Sequence, residues 1–281
     1  MGKIILSAFA DEHSESFESQ LKFLSESDIG FIEIRGVGGK NISELNCDEV
    51  KNCADTLKKY GIKVSSIGSP LGKISIDGDI ECHMEKAKRV FETANTLSCT
   101  NCRVFSFYIP EGKTPEECYE KVAEAVSRML DIADSYGITL CHENEHGIYG
   151  ESPERAKKLI DTFNGRLKCV FDMGNFVLDG YKPYPDAYSV LRNDIKYFHI
   201  KDALYEGAIV PAGCGNASIK EILDDYSKNY ENDFTVSIEP HLQTFEGFNA
   251  LTDRTFDNPY KFETREKAFE EAIRYFRGLW K

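Results

Sequence analysis

The chain has 281 residues, 41% hydrophobic and 29% charged, with a formal net charge of −13. That length can bury one large core, and no stretch approaches the ~20 apolar residues of a membrane-spanning helix. With no dense Lys/Arg cluster to displace counterions, so acidic a chain is not expected to bind nucleic acid or an anionic membrane.

Lys3–Ser7 reads as a first strand, because its apolar run, Ile4 to Leu6, is too short for a secretory signal. Phe17, Leu21 and Leu24 follow at i, i+4 and i+7 and predict a helix, with Gly30 ending its region. Strands are expected at Phe31–Arg35 and Ile62–Ile67. A helix over about 82–98 buries Ala87, Val90, Phe91, Ala94 and Leu97. A strand at Arg103–Phe107 leads to a helix over about 115–135, which buries Val122, Val126, Met129, Leu130 and Ala133 and closes at Gly137. Thr139–Glu143 is the fifth strand. Ser152, Pro153 and Glu154 then supply a cap, a first-turn proline and a first-turn acid for the next helix. Lys168–Asp172, Tyr197–Ile200 and Phe234–Glu239 complete the strands, and a helix from about Thr264 to Leu279 ends the chain. The irregular segment 240–262 follows the last strand, where a lid or substrate loop is expected.

Eight strands, each with a helix after it, imply parallel pairing. The expectation is a single (β/α)8 TIM barrel forming one domain over residues 1–281, with a doubly wound open sheet as the alternative. Nine scattered cysteines without a signal segment read as reduced thiols of a cytoplasmic protein. Cys99 and Cys102 form a CxxC, but it follows a helix and precedes a strand, the wrong context for redox work. His142-Glu143-Asn144-Glu145-His146 matches the zinc-peptidase spacing, yet that motif needs a helix, and Gly147 follows at once. The glycine-rich stretches at Gly36–Gly39 and Gly68–Lys73 lack the spacing of nucleotide loops.

The chemistry gathers at the ends of the last four strands. Strand five ends at Glu143, strand six at Asp172, strand seven carries His199, and strand eight ends at Glu239. In a barrel these ends converge on one mouth. Three carboxylates and one imidazole there repel one another unless a cation joins them. Such an oxygen-rich set suits Mn²⁺, Mg²⁺, Co²⁺ or Zn²⁺. Lys201 shares strand parity with His199 and points into the same mouth. It is a candidate for holding substrate, as are Asn175, His241 and Arg35; an ion pair is the competing fate of Lys201 and Arg35. Glu145 shares parity with Glu143 and is the rival ligand.

These residues sit in Glu143-Asn144, Phe171-Asp172-Met-Gly-Asn175, Phe198-His199-Ile-Lys201-Asp202, Pro211-Ala-Gly213-Cys-Gly215 and Ile238-Glu239-Pro-His241. Taken in order, they resemble the xylose-isomerase-like barrel superfamily of sugar (phosphate) isomerases and epimerases, over essentially the whole chain. The resemblance implies that Glu143, Asp172, His199 and Glu239 bind one divalent metal. Its Glu-Asn pattern favours Glu143 over Glu145.

On that basis Glu143 and Glu239 are the expected catalytic pair, moving the proton beside a metal-chelated carbonyl of a sugar, sugar phosphate or cyclitol. Isomerase or epimerase is the leading expectation. An inosose-type dehydratase and a non-catalytic sugar-binding barrel are the alternatives, and the oligomeric state is left open, a homo-oligomer included. Six histidines are too few for the trinuclear zinc site of an endonuclease IV relative. Ala203 stands where many relatives place Arg.

Overall fold

Local signals in the chain resolve into eight barrel strands in the computed structural model, which describes residues 2–242 and 260–280. We label them β1 (Ile4–Ala8), β2 (Phe31–Ile34), β3 (Lys63–Ile67), β4 (Asn101–Val104), β5 (Thr139–Glu143), β6 (Leu167–Asp172), β7 (Ile195–Ile200) and β8 (Phe234–Ile238). The ladder runs β2-β3-β4-β5-β6-β7-β8-β1, and every pairing in it is parallel. The last strand therefore returns to the first, and β1 and β2 flank the remaining seam of a (β/α)8 barrel.

The helices are α1 (Phe17–Glu26), α2 (Cys47–Tyr60), α3 (Ile80–Thr96), α4 (Pro115–Tyr136), α5 (Pro153–Thr162), α6 (Met173–Leu178), α7 (Tyr188–Leu191), α8 (Ile219–Asn229) and α9 (Arg265–Gly278). Their ends follow side-chain chemistry. Thr114 and Glu117 form a reciprocal capping box on α4, with Pro115 in the first turn and left-handed Gly137 at the end. Asn46 and Glu49 do the same for α2, and Ser152 caps α5. The apolar stripes of α3 and α4, including Val90, Phe91, Val126 and Met129, are buried against the barrel. Inside it, Cys141, Val170 and Tyr197 form a separate small cluster.

Three expectations need correction. Gly30 does not end α1. The helix stops at Glu26, Asp28 takes the left-handed turn with φ 53, and Gly30 precedes β2. The fourth strand lies earlier than its β-branched and aromatic run suggested. It ends at Val104; the Phe105 amide donates instead to Leu71 O, and Phe107 adopts φ 63. Not every strand runs straight into a helix. After β7, Asp202–Ala203 pairs antiparallel with Ile209–Val210 before α8 begins. The Asp202 carboxylate organises that excursion by accepting the amides of Ala203, Gly213, Gly215 and Ala217 at 2.8–3.0 Å. The Pro211-to-Gly215 motif is thus a turn wrapped on one carboxylate.

The segment expected to form a lid, 240–262, falls mostly on residues 243–259, outside the described residues. No helix among the described residues is long and apolar enough to cross a membrane.

Candidate metal centre

Strand register decides which side chains meet at the C-terminal mouth. Asp172 on β6 stands directly beside His199 on β7, and Ser237 on β8 pairs with His199, so Glu239 emerges one step beyond the strand. Each of Glu143, Asp172, His199 and Glu239 presents one ligand atom, and these atoms lie within 4.8 Å of one another. All four residues are 3% exposed or less.

His199 orders the cluster. Its Nδ1 lies 2.8 Å from Glu143 Oε1, 3.3 Å from Glu239 Oε2 and 3.9 Å from Asp172 Oδ2. Its Nε2 faces the other way and meets Glu33 Oε2 at 3.1 Å. Glu33 also accepts the Tyr197 hydroxyl proton at 2.9 Å, and the Tyr197 oxygen lies 3.0 Å from Ser66 Oγ. The imidazole is therefore oriented from behind, with Nδ1 toward the carboxylates.

Lys201 Nζ donates to Asp172 Oδ2 at 2.9 Å and Asn175 Oδ1 at 3.0 Å, and lies 3.5 Å from Glu239 Oε2. Gly174 makes room for it, since a Cβ there would fall 2.6 Å from Lys201 Cγ. Asn175 bonds the Asn144 carbonyl through Nδ2, while its amide donates to Asp172 Oδ1. Asn144 in turn holds both the amide and the carbonyl of Asp172 at 3.0 Å. The Glu-Asn and Asp-Met-Gly-Asn motifs thereby lock two neighbouring strand ends together.

The other sequence candidates sit around this cluster. Arg35 is buried; it chelates Asp11 at 2.8 and 3.0 Å and reaches Glu239 Oε1 at 2.6 Å. His241 has φ 48, its amide donates to Glu12 Oε2, and its Nε2 lies 3.5 Å from Glu239 Oε1. Glu145 stands outside the four-residue group and pairs with Lys73 at 2.9 Å. The HExxH spacing brings no second imidazole to the site. His142 Nε2 meets Ser106 Oγ at 2.9 Å, and His146 is exposed beside Asp179. Cys99 and Cys102 are buried, and burial pushes both thiols up to about 12.

Two residues at the centre carry no local sequence signal. Glu33 is an acid in the middle of an apolar strand, Phe-Ile-Glu-Ile, and only burial inside the barrel reveals why. Arg103 was expected at the start of its strand, far from the mouth. Because β4 ends at Val104, Arg103 instead lies 3.2 Å from Glu143 Oε2 and 3.6 Å from Glu239 Oε1.

Electrostatics separates the carboxylates. Burial pushes Glu143 up, but His199 and Arg103 override it and hold the carboxyl at about 2. Burial likewise opposes ionisation of Glu239, yet Lys201, His241 and His199 hold it well below its usual range. Asp172 goes the other way, to about 7, because burial together with Glu143 and Glu239 outweighs Lys201. Burial disfavours a charged His199, but Glu143 and Glu33 raise it well above 6.5.

These residues fit a divalent ion. Glu143 Oε2 and Glu239 Oε2 are buried and accept no hydrogen bond; Arg103 at 3.2 Å and Lys201 at 3.5 Å offset their charge without bonding them, which leaves lone pairs for a closer cation. A cavity of about 20 Å³, room for about one water, opens beside Glu143 and Glu239 and is lined also by Arg35, Lys73, Arg103 and Lys201. Three carboxylates and one imidazole form the hard donor set of Mn²⁺, Mg²⁺, Co²⁺ or Zn²⁺.

Comparison with known proteins gives a consistent setting. Residues 21–279 match the family model described as xylose isomerase-like TIM barrel. No curated protein sequence matches the chain. Among solved structures, the IolI protein with a bound zinc atom superposes with a TM-score of 0.74 at 18% identity, covering 98% of this chain and 97% of its own. A D-tagatose 3-epimerase-like protein gives 0.72 at 19% identity, over 98% of this chain and 97% of its own. The probable 3-DHS dehydratase AsbF from Bacillus anthracis gives 0.69 at 18% identity, over 85% of this chain and 92% of its own. Identities this low speak for a shared fold.

Proposed function

Because the chain belongs to the xylose isomerase-like TIM barrel family, we propose that it is a metal-dependent isomerase or epimerase of a sugar, sugar phosphate or cyclitol. The observation that carries this reading is the buried set of four donors from four consecutive strands, two of them with carboxylate oxygens that accept no hydrogen bond. Glu143, Asp172, His199 and Glu239 would hold the ion. Bound there, it supplies Lewis acidity to a carbonyl and its neighbouring hydroxyl.

The chain's own groups do the rest. Glu143 and Glu239 reach the site from different strands and ionise readily, so one takes the proton from the carbon beside the carbonyl, while the other, having first drawn a proton from solvent, gives that proton back to the carbanion. Lys201 Nζ, fixed by Asp172 and Asn175, holds a substrate oxygen on which negative charge develops. Return of the proton to the opposite face gives epimerisation, and return to the next carbon gives isomerisation. Loss of a β-hydroxyl from the same carbanion gives dehydration. That second reading draws support from the similarity to the probable 3-DHS dehydratase.

The test is solvent exchange. Protein reconstituted with Mn²⁺ or Zn²⁺ is incubated with ketoses and inososes in D₂O and followed by NMR. Deuterium is expected at the carbon beside the carbonyl, and Glu143→Gln and Glu239→Gln each slow its entry by about 10²–10⁴-fold. A metal-loaded protein that binds such compounds without exchanging any proton would instead be a sugar-binding barrel.

A further inference from the structure

The Glu239 carboxylate serves two groups of donors. Its Oε2 belongs to the metal centre, 3.3 Å from His199 Nδ1, while its Oε1 turns toward Glu12 and His241. Glu12, Glu239 and His241 each present one ligand atom there, all within 4.8 Å of one another. His241 Nε2 lies 3.4 Å from Glu12 Oε1 and 3.5 Å from Glu239 Oε1. With Asp11 beside them, this second group repeats the composition of the metal centre, three carboxylates and one imidazole.

A side chain of the protein already fills this second group. Arg35 NH1 donates to Glu239 Oε1 at 2.6 Å, its Nε and NH2 donate to Asp11 at 2.8 and 3.0 Å, and its NH2 lies 3.4 Å from Glu12 Oε1. The guanidinium is buried, and the Phe9 ring covers one face of it, with the centroid 4.6 Å from Cζ. The frame around it is fixed. Arg265 of α9 donates to the Asp11 and Glu12 carbonyls and so pins the turn that carries both acids. The two glycine-rich stretches that lack nucleotide-loop spacing make room for the arrangement. A Cβ on Gly36 would fall 2.8 Å from Asp11 Oδ2, and one on Gly68 would fall 2.5 Å from Phe9 Cε1.

We propose that the Arg35 guanidinium stands where a second divalent ion would otherwise bind, so that Glu239 bridges one exchangeable metal and one cation built into the chain. The inference rests on the metal-centre reading above. Buried carboxylates need a counter-charge. Arginine supplies it at every metal concentration, because it stays protonated. It gives charge and hydrogen bonds, but it does not generate hydroxide from a bound water as a metal does. The mouth therefore has two cationic positions and one Lewis acid. It lacks the pair of ions that clamps the attacking and leaving oxygens in two-metal phosphoester hydrolysis, and it suits a reaction in which one ion acidifies a carbon-bound proton.

Metal stoichiometry tests it without a substrate. The full native chain and Arg35→Ala/Asp11→Asn are stripped of metal and titrated with Mn²⁺. Calorimetry counts the bound ions, and electron paramagnetic resonance reports whether they are coupled. The double substitution removes one cation and one anion together, so the charge of the cluster is kept and Glu12, Glu239 and His241 remain. The native chain is expected to bind about one Mn²⁺, with the spectrum of an isolated ion. The variant is expected to bind a second about 100-fold or more tightly than the native chain does, because it leaves buried carboxylates without their cation. The two ions are expected to be magnetically coupled through Glu239. Adding Glu12→Gln is expected to return the count to about one. A native chain that binds two coupled ions overturns the inference, whatever the variant does. So do a folded variant that binds only one ion, a second ion without coupling, and a second ion that survives Glu12→Gln. A native chain that binds no Mn²⁺ defeats the metal-centre reading as well. One that binds a single isolated ion, beside a folded variant that gains none, defeats this inference alone.

Discussion

His199 Nε2 points at Glu33 and away from the cluster it helps to build. That carboxylate also takes the Tyr197 hydroxyl, so it accepts two hydrogen bonds and directs His199 Nδ1 toward Glu143, Asp172 and Glu239. A carboxylate behind a ligating imidazole fixes its tautomer and raises its basicity. Glu33→Gln removes that anion without touching a ligand. It is expected to weaken divalent-metal affinity about 10- to 100-fold, measured by competition with a chromophoric chelator. Unchanged affinity would mean that the strand alone positions the ring. At this scale the sequence was partly legible. Period-two alternation correctly put His199 and Lys201 on one face, because parity needs no knowledge of the partner strands. Glu33 was missed because a lone acid in an apolar strand has no local signature. Its partners Tyr197 and His199 lie more than 160 residues away.

The loop after β3 shows how an element can hold the site from outside it. Gly72 adopts φ 88 with its backbone pressed against Phe105, just past the end of β4, where a Cβ would fall 2.0 Å from Phe105 O. The Gly72 amide donates to His83 Nε2 at 2.8 Å, which requires a neutral imidazole. Burial lowers His83 from 6.5 to about 4, with Lys86 adding to the effect. The unfolded chain therefore binds this proton more readily than the folded one. The stabilisation is complete above pH 6.5 and is lost as the pH falls toward 4. Between pH 7 and 5 the loss amounts to about 2 kcal/mol. Urea unfolding of the native chain and of His83→Gln at those two pH values should differ by that amount; parallel pH profiles would refute it. This same tie explains the misplaced fourth strand. The Phe105 and Phe107 amides bond to Leu71 and Gly72, so the aromatic run that looked like strand is held by a loop far back in sequence. The shift moved Arg103 to the barrel mouth, out of reach of any local rule. The helices were easier, because Ser152, Pro153 and Gly137 act on their own turns.

Across the whole molecule, the alternation of short β-rich runs and helical stripes was enough to predict the barrel, since parallel strands with helical crossovers leave few closed arrangements. What the alternation could not convey is the balance of charge at the mouth. Asp172 is raised to about 7, first by burial and then by Glu143 and Glu239, and His199 is raised well above 6.5. Near neutrality the metal-free protein therefore keeps protons that a bound ion must expel. Metal affinity is expected to rise with pH through 7, by about tenfold per unit for each proton released. Calorimetry in buffers of differing ionisation enthalpy counts those protons, and a pH-independent affinity would contradict the charge assignments.

The most direct measurement is elemental analysis of the untagged chain after reconstitution, beside an Asp172→Ala/His199→Ala double variant. The four-strand centre predicts about one divalent ion per native chain and none in the folded variant. A native chain that takes up no ion, or a variant that keeps one, would contradict it and leave the four strand ends as a hydrogen-bonded plug in the barrel mouth.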